Sequence, residues 1–212
     1  MSDVFVKFVT RQIKKFPFSE GPLQVESNHI CDMLKTLNEN MLLTINSQPV
    51  VNGCKSSDPV FGWGPTTGYV YQKAYYEFFI PKCLLGNFVD HLNAFPSITY
   101  QAANAAGHTV TNVQPNTVNA VTWGIFANHE VSQPTVVDYN AFMIWKDEAF
   151  QRWQKWASIY ESDSVSANTL TFVHDNFYLM NVVENDYIGG NLNQVVFEFI
   201  IKNSKMIHEL KE

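Results

Sequence analysis

A set of oxygen-bearing side chains stands out in this sequence of 212 residues. Glu26 and Ser27 open an expected helix, Thr44 and Ser47 lie on the apolar run that follows, and Thr122 and Thr135 lie on later runs. Hydroxyls within apolar strands need hydrogen-bond partners when buried. Each can bond a neighbouring backbone group, or several can converge on a polar ligand, and the residues alone leave both open. Glu26 and Ser27 fall in a first helical turn, where free N–H groups and the helix dipole favour an anion.

Other residue types with chemical potential read more simply. His29-x-Cys31 offers two metal ligands, but the others would have to come from elsewhere, and a surface histidine beside a core cysteine explains the pair. His174-Asp175 would imitate part of a hydrolase triad, yet no G-x-S-x-G elbow accompanies it. Gly62-x-Gly64-Pro65 reads as a tight turn. No G-x-G-x-x-G marks a dinucleotide fold or a Gly-rich methyltransferase loop. Glu184 and Asp186, near Gly189-Gly190, lack the partners of a phosphate or metal site. The sequence therefore assigns no catalytic residue and no metal ligand.

The totals narrow the class. With 46% apolar and 14% aromatic residues the chain can bury a core, while only 16% of its residues are charged, so part of its surface is expected to meet a partner. The net charge of −6 and the lack of a Lys/Arg run argue against nucleic acid. No apolar run approaches a membrane span of about 18 residues. The opening Met1-Ser2-Asp3-Val4 does not read as a signal peptide. Cys31, Cys54 and Cys83 are expected as free thiols in a reducing, cytoplasmic setting.

The elements that must position these residues follow from periodicity. Val4, Phe5, Phe8, Val9 and Ile13 mark a first helical face, and Pro22 is placed to begin a second helix carrying Ile30, Met33, Leu34 and Leu37. Met41–Ser47 reads as a buried strand, Val50 onward as a polar turn, and Gly68–Ile80 as one long strand. Pro81 opens a helix with Leu84, Leu85, Phe88, Val89, Leu92 and Phe95 on one face. Strands are expected at Ser97–Ala102, His108–Asn112, Ala120–Phe126, Thr135–Val137, Thr169–Val173 and Phe177–Val183. Asp138 is placed to cap a long helix from Asn140 to about Glu161, whose Phe142, Trp145, Ala149, Trp153, Trp156 and Tyr160 form a core stripe. Lys146-Asp147-Glu148 is its expected solvated side. Leu192, Val195, Val196, Phe199 and Ile200 mark a last helix, with a fraying polar tail from Lys202. Helices and strands mix without a βαβ rhythm, which predicts a single α+β domain over 1–212, its mixed or antiparallel sheets flanked by about four to five helices.

Several runs, in order, carry a resemblance. Leu42-Leu-Thr-Ile-Asn-Ser-Gln-Pro49, Ser56-Ser-Asp-Pro59, Gly62-Trp-Gly-Pro65 and Gly68-Tyr-Val-Tyr-Gln-Lys-Ala-Tyr75 are followed by Asn119-Ala-Val-Thr-Trp-Gly-Ile-Phe126 and Gln133-Pro-Thr-Val-Val-Asp138. Trp145-Lys-Asp-Glu-Ala-Phe150, His174-Asp-Asn176 and Gln194-Val-Val196 complete the set. The chain resembles the C-terminal regulatory domain of eukaryotic methylenetetrahydrofolate reductase. The resemblance implies a module that binds S-adenosylmethionine as inhibitor, with S-adenosylhomocysteine competing, and that is not an enzyme by itself. It implies Glu26, Ser27, Thr44, Ser47, Thr122 and Thr135 as ligand-binding residues, with backbone near Leu23 and Gln24; Ser27 stands where the family more often has Thr. An ammonium suits Glu26, and a carboxylate suits hydroxyl donors such as Thr44 and Ser47. The implied partners are a flavin-containing reductase barrel and a second copy in a homodimer. FAD would belong to that barrel, which is expected to be absent here together with the linker and the first part of the regulatory domain. A dimerisation scaffold without ligand and an independent S-adenosylmethionine-using protein are the alternative readings.

Overall fold

The computed structural model describes residues 2–13, 18–19, 23–62, 64, 67–113, 123–126, 138–160, 176–185 and 191–211. Their centre is an antiparallel five-stranded sheet in the order β1-β4-β8-β5-β6. Its strands are β1 (Leu43–Gln48), β4 (Tyr75–Pro81), β8 (Phe177–Glu184), β5 (Ile98–Ala103) and β6 (Thr109–Thr111). A second antiparallel sheet, β2-β3-β7, joins β2 (Val51–Lys55), β3 (Tyr69–Gln72) and β7 (Trp123–Phe126).

Alternation along β4 assigns the two faces of the large sheet. Phe79 points toward α1 (Ser2–Val9) and α4 (Tyr139–Tyr160): its ring lies 5.4 Å from Trp153 and 5.2 Å from Phe150, and Phe5 stacks on Trp153 at 5.2 Å. Phe78 points the other way, toward α3 (Lys82–Leu92) and α5 (Asn191–Lys202). Its ring is 5.8 Å from Phe88, which lies 4.5 Å from Phe199. Asp138 caps α4 as expected, its Oδ1 accepting the N–H groups of Asn140 and Ala141 at 2.9 and 3.2 Å.

The α+β class expected from the pattern is what the structure has, with differences in detail. The described residues hold six α-helices rather than four to five, because the polar tail forms α6 (Ser204–Glu209) with Ile207 buried. The second helix begins as a 3₁₀ helix, Glu26–Ile30, before α2 (Cys31–Glu39). Gly68–Ile80 is not one strand: β3 and β4 part at Lys73-Ala74 and join different sheets. A run of β-formers does not encode a change of pairing partner. The stretch read as a turn contains β2, where Gly53 takes φ +74° at a bulge between Asn52 and Cys54. Lys146, expected in solvent, is buried, its ammonium 2.6 Å from the exposed Asp147 carboxylate. The strands expected at Thr135–Val137 and Thr169–Val173 lie outside the described residues.

Candidate functional site

A cavity of about 220 Å³ opens where the 3₁₀ helix and α2 meet edge strand β1. Leu23, Gln24, Glu26, Ser27, Thr44 and Ser47 all line it. Thr122 and Thr135 lie outside the described residues. A smaller cavity of about 190 Å³ adjoins it through Gln24, Glu26 and Gln72.

Local structure positions these groups. The chain bends at Gln24, whose carbonyl accepts the Ser27 N–H at 3.1 Å, and the resulting 3₁₀ turn brings Glu26 and the buried Ser27 to the cavity wall. Opposite them, Thr44 is held by Asn38 at the end of α2. The Asn38 side chain, fully buried, accepts the Thr44 N–H at 2.8 Å and donates from Nδ2 to Thr44 Oγ1 at 2.8 Å and to Leu34 O at 2.7 Å. Because the Thr44 oxygen already accepts a bond, its proton is the remaining donor, and no acceptor among the described residues takes it. A bulge between Thr44 and Asn46 re-aims the strand, and Asn46 Oδ1 accepts the Ser47 N–H at 2.9 Å. Gln72 Nε2 is tied to Pro49 O at 2.8 Å and Gln48 Nε2 to Lys73 O at 2.9 Å, which stiffens the rim.

Behind this wall a polar row crosses the sheet. Asn46, Glu77, Asn181 and Gln101 are register partners on β1, β4, β8 and β5, so their side chains share one face. Glu77 is buried, and desolvation raises its carboxyl to about 7, although the polar groups of Trp145, Asn46 and Asn181 pull it down. Burial also raises the Tyr75 phenol, with the Glu77 charge adding to the effect. The sequence reading does not single out Asn38, Asn46, Tyr75 or Glu77. Glu77 alone carries a visible signal, a carboxylate within the apolar run Tyr75-Tyr-Glu-Phe-Phe-Ile80.

The remaining candidates take ordinary places. His29 is exposed and stacks on Phe61 at 4.9 Å, while Cys31 is half-buried with its thiol 3.4 Å from Val9 O. Cys54 and Cys83 are likewise unpaired. The Gly62 turn is tight, since a Cβ there would meet the Asp58 carbonyl oxygen at 2.2 Å. Glu184 is fully buried and its Oε2 accepts the Leu192 N–H at 2.8 Å, so it stabilises the start of α5. Among the described residues no helix is long and apolar enough to cross a membrane.

Fold and cavity together describe an α+β domain with a polar, small-molecule-sized cleft at one sheet edge. A family model described as the MTHFR SAM-binding regulatory domain matches residues 3–205, and the chain belongs to that family. It is 47% identical over 194 residues to methylenetetrahydrofolate reductase (NADH) 1 of Zea mays, covering 91% of this chain and 33% of the relative. Methylenetetrahydrofolate reductase 1 of Schizosaccharomyces pombe is 42% identical over 190 residues, covering 90% and 32%. The probable methylenetetrahydrofolate reductase (NADPH) of Caenorhabditis elegans is 37% identical over 222 residues, covering 99% and 33%. The chain thus spans about a third of the length of these curated relatives.

Proposed function

We propose that this chain is a ligand-sensing module that binds S-adenosylmethionine or S-adenosylhomocysteine and thereby controls a methylenetetrahydrofolate reductase. The observation that carries the reading is the meeting of Glu26, Ser27, Thr44 and Ser47 around one cavity. The amino-acid tail of either ligand is a zwitterion. Glu26 would take its ammonium, and the Thr44 proton, left over by Asn38, would reach its carboxylate with help from Ser47. Leu23 and Gln24 would contribute backbone groups, and Thr122 and Thr135 further hydroxyls. Charge-assisted bonds in a shielded cleft offset the desolvation of both tail charges.

On this reading the module itself catalyses no reduction. Its partner is a flavin-containing reductase barrel, which holds the FAD. Free thiols at Cys31, Cys54 and Cys83 suit a cytoplasmic location. Phe197 and Ile201, exposed one turn apart on α5, offer apolar surface for a homodimer. The deciding experiment is calorimetric titration of the purified chain with each S-adenosyl ligand. Saturable binding of both is expected, and failure of both to bind overturns the proposal.

A further inference from the structure

We propose that Glu77 is the residue by which this cavity tells a cationic S-adenosyl ligand from a neutral one: its carboxylate, one strand pairing behind Asn46, favours a sulfonium over a thioether. The inference rests on the reading of the cavity given above and adds a discriminating residue to it.

The two ligands share the adenosine and the amino-acid tail. They differ in the methyl group on sulfur and the positive charge it brings. Glu26, the only carboxylate lining the cavity among the described residues, has the tail ammonium as its expected partner, and that ammonium is common to both. A second carboxylate near the sulfur would add discrimination by charge. Thr44 and Ser47 flank Asn46 on β1, and all three line the cavity. With the tail carboxylate on the two hydroxyls, as proposed, the sulfur is only a few bonds from them. Glu77 stands directly across the β1–β4 pairing from Asn46, with Tyr75, which also lines the cavity, two residues before it on the same face.

The surroundings keep Glu77 responsive. Asn46 faces it from β1, Asn181 from β8, the Trp145 indole from α4, and Tyr75 flanks it on β4. Of these only Tyr75 titrates, and its phenol is pushed upward by burial. Lys146, the buried cation of α4, is paired with Asp147. No cation neutralises Glu77 among these neighbours, and burial holds its carboxyl near neutrality at about 7. A positive charge arriving at the wall lowers that value and displaces the proton to solvent, whereas a thioether leaves it in place.

The test is titration calorimetry of wild type and Glu77→Gln with S-adenosylmethionine and S-adenosylhomocysteine, in buffers of differing ionisation enthalpy. In wild type the preference for the sulfonium ligand should rise severalfold from about pH 6 to about pH 7.5, as Glu77 ionises. Its binding near neutrality should release a fraction of a proton that the thioether does not. In Glu77→Gln the preference should be smaller and the extra proton release gone, the variant also subtracting titration of the ligands themselves. Identical pH responses for the two ligands in wild type overturn the proposal without recourse to any variant. A preserved rise in Glu77→Gln overturns it too. If wild type binds both ligands and does not discriminate by pH, the cavity reading stands and the role of Glu77 falls. If it binds neither, both fall.

Discussion

Asn38 grips Thr44 twice, accepting its backbone N–H and donating to its hydroxyl oxygen, each at 2.8 Å. Helix α2 is thereby fastened to β1 at the point where the strand enters the cavity wall. With the Asn38 amide fully buried, truncation leaves the Thr44 N–H without its partner in a site closed to water. Asn38→Ala should destabilise the domain by about 1–3 kcal/mol and weaken S-adenosyl ligand binding together with it. Thermal melts and calorimetry check both. A variant with unchanged affinity would mean that Thr44 is oriented by something other than Asn38.

Glu26 and Thr44 separate a binding role from a structural one. Glu26→Gln keeps the shape of the side chain and removes its charge. In the first turn of a short helix that charge contributes only some tenths of a kcal/mol to stability. Facing a ligand ammonium, its loss should weaken binding by about 2 kcal/mol or more, roughly thirtyfold. Thr44→Val removes the proton offered to a carboxylate and should also lower affinity. Tight binding untouched by either change, measured by calorimetry, places the ligand elsewhere.

The raised carboxyl of Glu77 gives stability a pH dependence of definite sign. The folded chain binds this proton more tightly than the unfolded chain, so between the ordinary glutamate range and about 7 stability falls as pH rises. Glu77→Gln, which mimics the protonated form, should match wild type at about pH 4 and exceed it above neutrality by at most about 3 kcal/mol. Denaturant unfolding across that range measures the difference. A constant offset at all pH values would mean that the carboxyl is not perturbed.

Trp153 is the hub of the helix–sheet contact, 2% exposed, with Phe5 and Phe79 rings 5.2 and 5.4 Å away. Trp153→Ala should cost about 3–5 kcal/mol through lost burial and the cavity left behind. A melting temperature within a degree or two of wild type would be incompatible with that packing.

Much of this architecture was legible in the sequence because periodicity reports burial directly. Phe142, Ala149 and Trp153 of α4, the three leucines and Phe88 of α3, and Leu192, Val195, Val196, Phe199 and Ile200 of α5 follow helical spacing, and each is buried where it was expected. Asp138, Pro81 and the Gly62 turn were equally readable, since caps and turns depend on local chemistry. Residue type and position left Glu26, Ser27, Thr44 and Ser47 open between backbone bonding and ligand binding, and only the resemblance implied them as ligand residues. Only the tertiary structure decided what touches what. The parting of β3 from β4 at Lys73-Ala74 depends on which strands they pair with. The burial of Lys146 against its neighbours, the anchoring of α6 by Ile207 and the hold of Asn38 on Thr44 likewise arise between elements. The polar row is the clearest case: Asn46, Glu77, Asn181 and Gln101 are far apart in the chain, and only strand register brings them onto one face.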